Sequence, residues 1–197
     1  MGDFMKEIES LYKAAEATLC MMKWNYCEKI YSMIIEMKSN TNEANIDEAG
    51  IWHGYAICLE RLGKIEESKK AYRIALELYL RNFKKRKSNL WGGWAAFKLG
   101  EYNLAYKLFE EAVKEDPNYA YSWLSLSMVS RKCNREDRAK EAMENYRKLI
   151  KEKPYIRREC EGKKMLVEAY KVSNGWVKEY IENILNEIKD DERLKTC

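Results

Sequence analysis

One pattern, punctuated by glycine, recurs along this chain and restricts it to a single kind of architecture. In the stretch YAICLERLGKIEESKKAYRIAL, residues 55–76, apolar side chains fall three and four positions apart on both sides of Gly63. Tyr55, Ala56, Leu59 and Leu62 precede the glycine; Ile65, Tyr72, Ala75, Leu76 and then Tyr79 follow it. That spacing predicts two helices folded back on each other. Gly100 stands 37 residues after Gly63, and Asn134 stands 34 after Gly100. Glycine and asparagine are the residues that most readily take the left-handed conformation ending a helix.

Other landmarks move with the turns. Ser68 maps onto Ala105 and Ala139, Ala56 onto Gly93 and Ser127, and Ala75 onto Ala112. Tyr72 maps onto Phe109 and Met143, and Trp52 onto Trp123. Small residues in the middle of an apolar stripe mark close helix crossings, because a large side chain there would hold the backbones apart. Ala56 and Ser68 should mark the crossing inside one hairpin, and Ala75 the approach of the next.

These residues resemble the tetratricopeptide repeat, a helix–turn–helix unit of about 34 residues. The first clear match runs Trp52-x2-Tyr55-Ala56 and then Ser68-x3-Tyr72. The second runs Gly92-Gly93-x2-Ala96, Ala105-x3-Phe109 and Pro117, and the third Trp123-x2-Leu126-Ser127 and Ala139-x3-Met143. The resemblance implies an all-α fold, a right-handed α-solenoid of stacked antiparallel helix pairs forming one domain over 1–197. About five hairpins are expected. Three clear units lie at 49–82, 86–119 and 120–153, with degenerate or capping ones at 10–43 and 156–192. The segment before Ser88 is longer than such a repeat needs, which should extend the helix preceding it.

The same resemblance implies a non-enzymatic scaffold that binds a peptide or helix of another protein in a concave groove. The groove positions of the first helix in each unit carry over to Gly50, His53, Ile57, Glu60 and Arg61. In the second unit they are Lys87, Leu90, Trp94, Phe97 and Lys98, and in the third Tyr121, Leu124, Met128, Arg131 and Lys132. The result is an apolar and aromatic strip with basic edges, suited to an amphipathic helix or strand with acidic flanks. The lysines and asparagines with which some members clamp a C-terminal carboxylate are replaced here by His53, Ile57, Trp91, Tyr121 and Ser125. Two alternatives stand beside this reading. The groove can be occupied by self-association in a homo-oligomer. The segment 81–100, with Arg81, Lys84, Lys85, Arg86, Lys87 and Lys98 near Trp91, Trp94 and Phe97, can also stack on single-stranded RNA.

Composition narrows the chemistry further. With 36 basic against 32 acidic residues, the charge excess is too small to argue for nucleic acid by itself. One histidine, no glycine-rich phosphate loop and no convergent acids leave no constellation for an enzyme. The six cysteines form no closely spaced pair of the kind that holds structural zinc, so neither metal nor cofactor is expected. As dispersed thiols they suit a reducing cytoplasm. No apolar run approaches the ~20 residues of a membrane span, and MGDFMKEIES does not read as a secretory leader. The absence of glutamine amid abundant Lys and Glu hints at an archaeal or thermophilic source.

Overall fold

The computed structural model describes residues 2–39, 47–81, 86–151, 158–189 and 191. Ten helices make up the described residues, and there is no strand among them. They are α1 (Gly2–Cys20), α2 (Trp24–Ser39), α3 (Glu48–Arg61), α4 (Ile65–Arg81) and α5 (Arg86–Lys98). After these come α6 (Tyr102–Glu115), α7 (Ala120–Lys132), α8 (Glu136–Ile150), α9 (Arg158–Val172) and α10 (Gly175–Ile188). At 17 residues α4 is three longer than α6, so it takes up part of the extra length before Ser88.

The turns explain the spacing seen in the sequence. Gly63, Gly100 and Asn134 all have positive φ, at 78°, 82° and 56°. In each case the next amide reaches back across the turn to close the helix. Lys64 N–H donates to the Leu59 carbonyl, Glu101 N–H to Ala96 and Arg135 N–H to Ser130, each at 2.9 Å. The α1–α2 turn is built the same way around Met22, at φ 57°, with Lys23 N–H donating to the Thr18 carbonyl at 2.8 Å. Acids then open the following helix and bases close it, matching the helix dipole: Glu66, Glu67 and Arg81 in α4, Glu136, Asp137, Arg147 and Lys148 in α8.

By backbone contacts the chain divides into two compact units. One comprises Met1–Asp47, Gly54–Ser68 and Ile156–Cys197; the other comprises Glu48–His53 and Lys69–Tyr155. We call them the terminal and the central unit.

In the central unit the hairpins stack in chain order, as in a helical solenoid: α5 on α6, α6 on α7, α7 on α8, with α5 also meeting α7. The small residues sit where the helices come closest. A Cβ added at Gly93 would lie 2.5 Å from the ring of Phe109, which is fully buried. Ala105, Ala112, Ala139 and Ala142 are also buried. The Ser127 hydroxyl crosses from α7 to donate to the Ala139 carbonyl of α8 at 2.9 Å. The equivalent bond two hairpins earlier in the chain runs the other way. Within the terminal unit, Ser68 on α4 donates to the Ala56 carbonyl of α3 at 2.8 Å. One small position on each side of the crossing therefore suffices, and either can carry the hydroxyl.

The terminal unit is assembled differently. Its centre is α1, which packs on α2, α9 and α10, while α9 also packs on α10. Along α1, Ala14, Ala15, Ala17 and Thr18 are fully buried, and this low surface lets α9 approach closely. At Gly162 an added Cβ would lie 2.6 Å from the Ala17 carbonyl oxygen. Val177, Ile181, Ile184 and Ile188 form the buried stripe of α10. Polar ties hold its far end to α2 and the turn before it: Lys23 pairs with Asp191 at 2.6 Å, Tyr26 hydrogen-bonds Glu187, and the Lys29 ammonium lies 5.6 Å from the Tyr180 ring centre.

The expectation of six dispersed thiols does not survive in this unit. Cys27 of α2 and Cys58 of α3 are joined in a disulfide, with Cα atoms 6.0 Å apart and both residues fully buried. Spacing in sequence gave no sign of it, because the two cysteines are 31 positions apart and meet only through helix packing.

Candidate partner-binding surface

Within the central unit, α5 and α7 lie side by side and carry most of the aromatic residues of the expected groove. The Tyr121 ring of α7 sits against two rings of α5. It is 6.2 Å from Trp91 and 6.1 Å from Trp94, and nearly parallel to the latter at 28°. Trp94 also meets Phe97 and Phe109 edge-on, at 5.5 and 5.8 Å. Phe97 continues the row to Tyr102 at 5.3 Å. Trp91, Trp94, Phe97, Tyr121 and Leu124 are all half-buried, resting on the core on one side and reaching solvent on the other. Ring contacts of this kind hold the side chains in place at little further entropic cost.

Past Phe97 the strip deepens into a pocket of about 400 Å³. Its described lining is Phe97 from α5, Ser127, Met128, Arg131 and Lys132 from α7, and Met143 from α8. Met128 is 40% exposed, high for a methionine of a folded chain. Arg131 and Lys132 are exposed at the rim, the Lys132 ammonium 6.0 Å from the Tyr102 ring centre. None of the described lining residues carries a carboxylate.

Two acids of the neighbouring helices, Glu110 and Glu141, are engaged elsewhere. Arg138 of α8 forks onto Glu110 of α6 at 2.7 and 3.2 Å and reaches Glu141 at 2.6 Å. The Tyr106 hydroxyl donates to the same Glu110 at 2.9 Å. Partial burial pushes the Glu110 carboxyl upward, but the hydrogen bonds from Arg138 and Tyr106 outweigh it and hold the group below its ordinary value.

The remaining groove candidates divide by position. Leu90 and His53 are buried, at 2% and 6% exposure, and so support the strip from beneath. His53 is enclosed by Tyr72, Tyr79 and Trp91, with ring centres 5.5 to 6.0 Å away. Lys98 is exposed at the end of α5. Ile57 and Arg61 belong to the terminal unit, where the Arg61 guanidinium lies 5.6 Å from the Trp24 ring centre. The side chain of Lys87, with those of Arg86 and all of Lys84 and Lys85, falls outside the described residues. Register alone did not single out Met143 as a surface residue. It occupies the position of Tyr72 and Phe109, whose rings are buried, yet is itself half-buried and open to the pocket. Among the described residues no group of histidine, cysteine or acidic side chains could hold a metal ion. No described helix is long and apolar enough to cross a membrane.

A family profile described as tetratricopeptide repeat matches residues 49–82 and 88–119. This chain contains tetratricopeptide repeats. The two matched segments span α3–α4 and α5–α6, in the register of Gly63 and Gly100. Solved structures agree. A putative kinesin light chain of Podosopora anserina with nearly identical TPR-like repeats aligns with a TM-score of 0.58 at 12% identity, covering 95% of this chain and 98% of its own. The protein MamA aligns at 0.52 and 12% identity over 99% and 97%. YrrB, described as a TPR protein with an unusual peptide-binding site, aligns at 0.51 and 12% over 72% and 68%. At such identities the likeness is one of fold. A search of curated proteins finds no match to the sequence. Repeats of this type suggest a protein–protein interaction scaffold.

Proposed function

We propose that the tetratricopeptide repeats of this chain form a non-enzymatic scaffold, binding a peptide or amphipathic helix of another protein along α5 and α7. The carrying observation is the half-buried strip of Trp91, Trp94, Phe97, Tyr121 and Leu124 that runs into the basic-rimmed pocket. Rings fixed by their neighbours, with one face still open, are the kind of residue that dominates binding energy at protein interfaces. The peptide-binding site named for YrrB supports the same use of the fold. Stacking on RNA is less favoured, since Trp94 and Tyr121 already stack on each other and each has one face taken.

The test is affinity capture from the native organism, comparing the wild type with Met128→Glu and Leu124→Glu after nuclease treatment. A protein recovered by the wild type and lost with both variants, each still helical by circular dichroism, is the expected outcome. Recovery that depends on nucleic acid, or that both variants leave intact, overturns the reading.

A further inference from the structure

The pocket at the end of the strip defines the partner's chemistry more narrowly. We infer that it receives one bulky apolar side chain of the bound segment, flanked on each side by an aspartate or glutamate that meets Arg131 or Lys132. This rests on the peptide-binding reading above and names the sequence such a peptide must carry.

The interior of the pocket is apolar in practice. Phe97, Met128 and Met143 form its walls, and the hydroxyl of buried Ser127 is already donated to the Ala139 carbonyl. About 400 Å³ is ample for a leucine, methionine or phenylalanine side chain. Two flexible, polarisable thioethers among three walls adapt to any of these, so the pocket selects bulk and apolarity more than outline.

Selectivity comes from the rim. Among the described residues Arg131 makes no ion pair, whereas Arg138 is engaged by Glu110 and Glu141. Both rim cations lie in the last turn of α7, where they also offset the helix dipole. A dipole role alone does not require an apolar cavity between them and Phe97. Adjacent residues on a helix diverge by about 100°. Arg131 and Lys132, both at the pocket, therefore leave α7 in different directions. Acidic side chains before and after an apolar anchor give each cation a carboxylate of its own.

The experiment is selection of random peptides, displayed with no free C-terminus, on the full-length chain. Enriched peptides are expected to carry Leu, Met or Phe with Asp or Glu on both sides. By fluorescence anisotropy, the Arg131→Glu/Lys132→Glu variant should bind the best of them about tenfold more weakly. Replacing that peptide's acids by lysine should restore its affinity for the variant. Enriched peptides without acids, or binding unchanged by the double reversal, overturn the pocket inference. If that binding is still lost with Leu124→Glu, the strip reading survives. If no enriched peptide responds to Leu124→Glu or Met128→Glu, the strip reading falls and takes this inference with it.

Discussion

The central and terminal units use the same element, an antiparallel helix pair, yet secure it by different means. In the central unit the two hairpins α5–α6 and α7–α8 repeat one solution: a left-handed turn residue, a small residue on each side of the crossing, and Phe109 or Met143 at the matching position. In the terminal unit three further ties occur once. Gly162 meets the Ala17 carbonyl, Lys23 meets Asp191, and Cys27 is bonded to Cys58. A repeat in the middle of a stack is buried by neighbours like itself, so a periodic solution suffices. Here α1 and α9 instead bury each other through contacts that have no counterpart in the central unit. The aromatic strip of α5 and α7 lies in the periodic unit, where the repeat itself supplies the packing beneath the rings.

The sharpest way to break this contrast is to remove the disulfide. Closing a loop over 31 positions restricts the unfolded chain, an effect worth about 3–4 kcal/mol in the chain-entropy account. Cys27→Ala/Cys58→Ala should lower Tm by roughly 10 °C. Hydrogen exchange should quicken in α1, α2, α9 and α10 more than in α6–α8. Because the pocket lies in the central unit, peptide binding below the new Tm should be unchanged. Equal acceleration throughout would show that the two units share one stabilising source.

A smaller effect is expected from the two close-approach glycines. Gly162→Val drives a side chain into the Ala17 carbonyl, Met21 and Cys20, and the helix backbone among these has no rotamer to escape by. Gly93→Val meets the Phe109 ring, which can shift slightly within its core. Overpacking of this kind costs about 1–3 kcal/mol, with Gly162 toward the upper end. Urea denaturation of the two variants measures the difference. Were Gly162→Val the milder, α9 would not be seated on α1 as closely as the backbone indicates.

These residues also show what the sequence could and could not reveal. Gly63, Gly100 and Asn134 were legible because residue type and spacing agreed, and Gly93 and Ala105 followed from the same register. Met22 makes the same turn, but methionine rarely takes positive φ, so nothing in its identity announces it. Gly162 has no counterpart at a repeat distance, and Cys27 and Cys58 become neighbours only after α2 and α3 pack. At the candidate site, register pointed to Trp94, Phe97, Tyr121 and Met128, which are partly or well exposed. It could not tell that Tyr72 and Tyr79 would enclose His53. Nor could it tell that Met143 would be open where Phe109 is closed. Periodicity gives the face of a helix; depth is decided by the neighbours.

The smallest expected effect separates the units by pH. In the central unit Glu110 is held below the ordinary carboxyl value of 4.5 by Arg138 and Tyr106, acting against its burial. A group depressed in the folded state contributes stability that is present above its unfolded value and is lost as pH falls through the folded one. In the terminal unit Tyr31 is fully buried and donates to Glu16 at 2.8 Å; burial first, and then the Glu16 charge, push its hydroxyl well above 10. The neighbouring Tyr12 is raised for the same two reasons. The folded state then keeps protons that the unfolded chain gives up, so stability falls as pH rises past 10. Acid should therefore quicken exchange first in α6–α8, and alkali first in α1 and α2. Glu110→Gln should flatten the acid limb of a plot of stability against pH and leave the alkaline limb alone, with Tyr31→Phe doing the reverse. A variant that shifts the whole curve without changing either slope would mean that these pairs pack the helices but do not couple them to protons.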